Sequence, residues 1–175
     1  WSAVSVESVT LTLVVDDVQD KVLQMMGNRT KYISSGGSAA NTVIAFSSFG
    51  GKSAYKTMIG DDNDGAFYVE EFQNLGIILD APIDENDHTG RCIVMITPDS
   101  ERTMLTSLGA TQNYHKDFIS DELIKRSEWI YIEGYKLTDD IGYEAVLLAC
   151  NLAKKYNTKI ALTFSDKFII DLYKD

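Results

Sequence analysis

Ser35-Gly36-Gly37-Ser38-Ala39-Ala40-Asn41-Thr42 is the stretch on which the reading of the whole chain turns. Two adjacent glycines let the backbone bend through positive φ and come close to a ligand. Beyond them Ala39, Val43 and Phe46 recur on one helical face, with Ala40 and Ile44 beside it. A helix that opens at a glycine bend turns its unpaired N–H groups and its positive dipole end toward that bend. Asn41 falls on the first turn, where its amide can both donate to and accept from a hydroxylated ligand. A tight turn before a closely packed helix explains the same residues, and this segment alone leaves both readings open.

Upstream, Thr10 to Val15 is a β-rich run, and Asp16 is placed to cap a helix whose inner face carries Val18, Val22, Leu23 and Met26. Downstream, Gly50-Gly51 closes the first helix and Ala54 to Ile59 reads as a strand. Gly60-Asp61-Asp62-Asn63-Asp64-Gly65 then leads into a helix with Ala66, Val69, Phe72 and Leu75 at helical spacing, stopped at Gly76. An Asp-capped turn is the better reading of those aspartates than a metal loop, because the terminal Glu and spacing of an EF-hand are missing. Gly50-Gly51-Lys52-Ser53 is not a phosphate-binding P-loop. Phe46 stands where that motif needs glycine, and the order is helix then strand.

From Ile77 to Thr106 the rhythm changes to short extended runs, with Thr97-Pro98-Asp99-Ser100 as a turn between antiparallel strands. Alternation then resumes. Asp117 to Ser127 reads as helix, Trp129 to Tyr135 as strand, and Asp139 to Tyr156 as a helix with the stripe Ile141, Ala145, Leu148, Leu152. Lys159 to Phe164 is a strand, and a helix begins at Asp166. Strands alternating with helices predict a doubly wound, mostly parallel sheet covered on both faces. The antiparallel insertion is placed as a small β lid, because ligands of such sheets bind at the carboxyl ends of the strands. Glu133 ends an apolar strand and is either a site carboxylate or an exposed loop charge. His88 and His115 have no partner at metal or triad spacing and are expected to be surface residues.

With 175 residues, 45% of them hydrophobic, the chain suits one ordinary domain. A formal net charge of -10 argues against nucleic-acid binding through a basic face. Cys92 and Cys150 lack metal-ligand spacing and read as reduced thiols of a cytoplasmic protein. No apolar run approaches the roughly 20 residues that span a bilayer, so no membrane partner is expected.

Taken in order, these segments resemble the ribokinase-like (PfkB) carbohydrate kinases, with an adenosine-kinase-like flavour. The resemblance rests on Gly36-Gly37-Ser38-Ala39-Ala40-Asn41-Thr42, Phe49-Gly50-Gly51, Ile59-Gly60-Asp61-Asp62 through Gly65, and Thr89-Gly90. Pro98-Asp99 through Met104, Leu108-Gly109-Ala110, Tyr131-Ile132-Glu133-Gly134-Tyr135 and Leu162-Thr163-Phe164-Ser165-Asp166 continue it. It implies transfer of the ATP γ-phosphoryl group, with Mg2+, to a hydroxymethyl group of a sugar or nucleoside. Gly36, Gly37 and Asn41 would bind sugar hydroxyls with Ser38 beside them, Glu133 would be a further substrate-site carboxylate, and residues 77–106 would supply lid strands. A homodimer through the lid is a further expectation.

Members of that family also carry an early strand with a sugar-gripping Asp, and a later Gly-Ala-Gly-Asp loop whose Asp is the catalytic base. Neither is found here, so no catalytic residue and no metal ligand is assigned. Residues 1–175 are expected to form one partial ribokinase-like domain, truncated and inactive by itself, that supplies the substrate-binding part. A non-catalytic sugar- or nucleoside-binding or dimerisation module is the alternative.

Overall fold

The computed structural model describes residues 11–28, 32–164 and 167–173. Strand β1 (Leu11–Leu13) leads into helix α1 (Asp16–Met26), and helix α2 (Ser38–Ser48) follows the glycine bend. Next come β2 (Ala54–Lys56), β3 (Ile59–Gly60), α3 (Asn63–Asn74), β4 (Ile78–Asp80) and β5 (Ile83–Asp84). β6 (Arg91–Ile96) and β7 (Arg102–Ser107) form a hairpin, followed by short 3-10 turns and α4 (Asp121–Arg126). β8 (Trp129–Glu133), α5 (Asp140–Tyr156), β9 (Lys159–Thr163) and α6 (Lys167–Leu172) complete the order.

The strand pairs β2–β4, β3–β5 and β8–β9 are all parallel, each joined through a crossover that includes a helix. β6 and β7 pair antiparallel from Arg91↔Ser107 to Ile96↔Arg102, and β1 adds to β7 in parallel, giving the order β1-β7-β6. Within residues 77–106, β4 and β5 therefore pair with β2 and β3, and antiparallel pairing is confined to β6 and β7. The run Ala54 to Ile59 is two strands rather than one. Ser165 and Asp166, and the start of the first predicted strand at Thr10, lie outside the described residues.

Small side chains set the helix–sheet distance. On α5 the buried positions are Gly142, Ala145, Ala149 and Ala153, while Ile141 of the predicted stripe is exposed. Ala149 and Ala153 pack with Ile124 of α4 over Ile130 of β8. On α3 the inner face is Gly65, Tyr68 and Phe72; Phe72 is inside as predicted, while Ala66 and Leu75 lie outside. Phe72 joins Ala40 and Ile77 in one core, with Val43, Ile44 and Tyr55 against it. Phe46, expected inside, is exposed, and its ring covers the backbone of Gly51.

Polar residues also hold the fold. Gln19 of α1 is fully buried, donates to the carbonyls of Arg91 and Leu105 at 2.8 Å each, and accepts from Arg91 Nε at 2.8 Å. One amide thus ties α1 to both strands of the hairpin. Asp62 caps α3, accepting from Gly65 N–H at 2.7 Å, which settles the aspartate-rich turn as a capped turn. Asp16, by contrast, makes no cap bond. It is the first residue of α1, and its carboxylate is engaged elsewhere.

Candidate functional site

Gly37 is the residue at which α2 begins, and its φ of 104° is one that side-chain-bearing residues rarely adopt. No side chain caps the helix from that position. The vacancy is met from across the fold. β8 lies against α2, and Glu133 at its last position accepts from Ala39 N–H through Oε2 at 3.4 Å. A carboxylate at the positive end of a helix is electrostatically favourable. Here it also lies beside the glycine bend.

The structure thus brings together the residues singled out from the sequence. Gly36, Gly37, Ser38 and Asn41 are all exposed along the bend and the first turn of α2, and Glu133 is half-buried against that turn. Asn41 is not in an apolar interior. The loop before the helix is held from α3: Ser35 N–H donates to Glu71 Oε2 at 2.6 Å, and Tyr68 Oη donates to the Gly36 carbonyl at 3.4 Å. Ser35 Oγ, in the same loop, is buried with no hydrogen-bond partner among the described residues.

Beneath this loop Tyr68 and Tyr55 stack on Phe72, with ring centroids 4.7 and 5.4 Å away. Burial pushes both tyrosine hydroxyls up, and the Glu133 charge adds to it in each case. Neither phenol is available as a base. They form an apolar wall with hydroxyl tips near the carboxylate. Tyr55, Tyr68 and Glu71 were missed in the sequence. Reading the inner face of α3 as Gly65, Tyr68 and Phe72 would have found Tyr68.

Several cations of the fold are engaged by other groups. Lys56 pairs with Asp80, Lys136 donates to the Thr111 carbonyl, and Arg91 holds Gln19, Asp20 and Asp64. Burial holds the Lys136 amine below its ordinary range. Backbone amides, an amide side chain and one carboxylate suit a polyhydroxyl ligand better than a triphosphate.

His88 does not have the isolated position expected of it. It is half-buried, with Nε2 2.9 Å from Asp16 Oδ1 and Nδ1 2.9 Å from Asp87 Oδ1. Ser107 Oγ lies 3.1 Å from the same Nε2. This is not a nucleophilic triad, because Ser107 is buried and its hydroxyl donates to Asp16 at 2.6 Å. The partners sit at positions 16, 87 and 107, which no spacing rule connects. His115 is half-buried rather than fully at the surface; it lies 3.5 Å from its neighbour Asp117, and its ring is 4.2 Å from that of Phe118.

Residues 4–175 match the pfkB family carbohydrate kinase family. The chain belongs to that family. Among curated proteins, this pfkB-family chain is 29% identical over 135 residues to 5-dehydro-2-deoxygluconokinase of Halalkalibacterium halodurans, covering 75% of the chain and 40% of that protein. It is 29% identical over 136 residues to the enzyme of the same name from Clostridium tetani, covering 39% of it. Among solved structures it is similar to adenosine kinase from Sinorhizobium meliloti, with a TM-score of 0.86, 27% identity, and 97% of this chain against 51% of that one. A probable sugar kinase from Rhizobium etli CFN 42 gives a TM-score of 0.87 at 25% identity, again over 51% of its length. The fold of this pfkB-family chain is therefore ribokinase-like α/β. The chain spans about 40% of the length of those curated relatives and about half of those solved structures.

Proposed function

We propose that this chain supplies the acceptor-binding part of a kinase that transfers the ATP γ-phosphoryl group to a hydroxymethyl group of a sugar or nucleoside. The single observation that carries the reading is the approach of Glu133 to the first turn of α2 at Ala39. It makes one polar edge from two segments 94 residues apart. On this reading the exposed N–H groups of the Gly36–Gly37 bend and the Asn41 amide bind vicinal hydroxyls, with Ser38 beside them. The Glu133 carboxylate accepts from a further hydroxyl and fixes its orientation. Such positioning matters most in phosphoryl transfer, where the protein orients and stabilises rather than forming bonds. The hairpin β6–β7 with β1 serves as a lid over this edge.

ATP and Mg2+ supply the phosphoryl group and its charge neutralisation when bound. The polar groups described above suit the acceptor and not the nucleotide, so they are assigned to binding and orienting the acceptor alone. The names of the relatives point to two acceptor classes, a keto-deoxy sugar acid and adenosine. Equilibrium binding of adenosine, ribose and 5-dehydro-2-deoxygluconate to the chain tests the proposal. Saturable binding of at least one is expected, and failure to bind any of them refutes it.

The outward face of the lid supports a homodimer. Leu13, Val94 and Ile96 are 50%, 48% and 70% exposed on it, and β6 is an edge strand of that sheet. A second copy pairing edge to edge along β6 would satisfy that strand's free backbone groups. Sedimentation equilibrium showing only monomer at high concentration would remove this part. The chain has no helix among its described residues long and apolar enough to cross a membrane. Its cysteines are free thiols, which suits a cytoplasmic setting.

A further inference from the structure

We infer that Asp16, Asp87 and His88 form a binding site for a divalent transition-metal ion at the root of the β1-β7-β6 sheet. The site is separate from the glycine bend and does not depend on the proposed function. One donor atom from each of the three residues lies within 4.8 Å of the others. Asp16 opens α1, and Asp87 and His88 lie between β5 and β6, so the cluster joins segments far apart in the chain.

The charge balance of the cluster asks for a cation. Among the described residues, neither Asp16 nor Asp87 has a Lys or Arg within ion-pair distance; besides the His88 ring, Asp16 accepts from the Ser107 hydroxyl at 2.6 Å and Asp87 from the His88 backbone N–H at 2.8 Å. Both ring nitrogens are turned toward carboxylate oxygens, with Nε2 2.9 Å from Asp16 Oδ1 and Nδ1 2.9 Å from Asp87 Oδ1. A divalent ion bound to one ring nitrogen and both carboxylates would neutralise two negative charges. One nitrogen and two oxygen donors suit zinc and similar ions that accept both atom types. With bonds of about 2.0–2.2 Å, the donors need to draw in by roughly an ångström.

The surroundings keep the cluster assembled and open. Ser107 Oγ is hydrogen-bonded to Asp16 Oδ1 at 2.6 Å and lies 3.1 Å from His88 Nε2, so it orients both from the buried side. Gly109 has φ of 50°, and a Cβ there would lie 3.0 Å from His88 Nε2, so its absence leaves room for the ring. A cleft of about 400 Å³ runs past Asp16, Asp87, His88 and Ser107, which gives an ion a path in. Bound there, the ion would staple α1 to the segment before β6.

Calorimetric titration with Zn2+, alongside thermal unfolding with and without it, tests the assignment. One ion per chain and a raised unfolding midpoint are expected. His88→Gln and Asp16→Asn should each weaken binding by about tenfold or more, while His115→Gln leaves it unchanged. If His88→Gln loses its circular dichroism, Asp87→Asn replaces it and must show the same loss. No one-to-one binding, binding that survives these substitutions, loss confined to His115→Gln, or a preference for Mg2+ over Zn2+ would each overturn the proposal.

Discussion

Thr89 is bound to Asp62 twice, by its N–H to Oδ2 and by its hydroxyl to Oδ1, both at 2.7 Å. The same hydroxyl accepts from Gly60 N–H at 2.9 Å. The helix cap of α3 and the entry to the lid hairpin are therefore one hydrogen-bonded unit. Burial by itself would raise the Asp62 carboxyl. The N–H groups of Thr89 and Gly65, the Thr89 hydroxyl and the nearby His88 outweigh it and hold the group below its ordinary range.

The sign of the pH dependence follows. A carboxyl with a depressed folded pKa stabilises fully above its unfolded pKa, and that stability is lost as pH falls through the folded value. The urea midpoint should begin to drop as the pH falls below about 5. Asp84 and Asp99 are lowered by their own donors as well, so the share of Asp62 is the difference between the wild type and Asp62→Asn. The variant should be less stable at pH 7 and flatter on acidification. Parallel curves would contradict the assignment.

Gln19→Leu should cost about 2–4 kcal/mol, because it leaves the Arg91 and Leu105 carbonyls and Arg91 Nε without their partner in the interior. Chemical denaturation measures it. A neutral or stabilising effect would mean that this amide is not what holds α1 on the hairpin.

Gly142→Ala should destabilise by about 1–3 kcal/mol. Its Cβ would lie 2.2 Å from the Lys136 carbonyl oxygen, where α5 begins against the turn that follows β8. Because that turn follows Glu133 directly, the substitution should also shift NMR resonances of Glu133. An unchanged spectrum and stability would show that the two backbones are not in contact.

Much of this was legible in the sequence, for local reasons. The Asp62 cap, the Gly36–Gly37 bend and the placement of Glu133 at a strand end all depend on residues a few positions apart. What escaped depends on distant partners. Gln19 is buried because strands about 70 and 86 residues later present carbonyls to it. His88 is half-buried because residues 16, 87 and 107 converge on it. The inner face of α5 is read only in part: Ala145 and Leu152 face the core as expected, but Gly142, Ala149 and Ala153 escape because hydrophobic periodicity weights large side chains. Close approach to the sheet puts the small residues inside instead.

Glu71→Ala should loosen the loop before α2 with little loss of global stability, since it removes the acceptor of Ser35 N–H at the partly buried edge of the fold. Amide exchange at Ser35 should accelerate by about tenfold or more, while core amides in α5 keep their rates. Unchanged exchange at Ser35 would indicate that the loop is held by other contacts.

A binding cycle across Asn41 and Glu133 tests the central claim most directly. The affinity of the tightest acceptor found is measured for the wild type, Asn41→Ala, Glu133→Gln and the double variant. Each single change should weaken binding, and the double variant should show a coupling of at least about 0.5 kcal/mol, as for groups sharing one ligand. Full affinity in both single variants, with the fold intact, would contradict a polyol site at the start of α2.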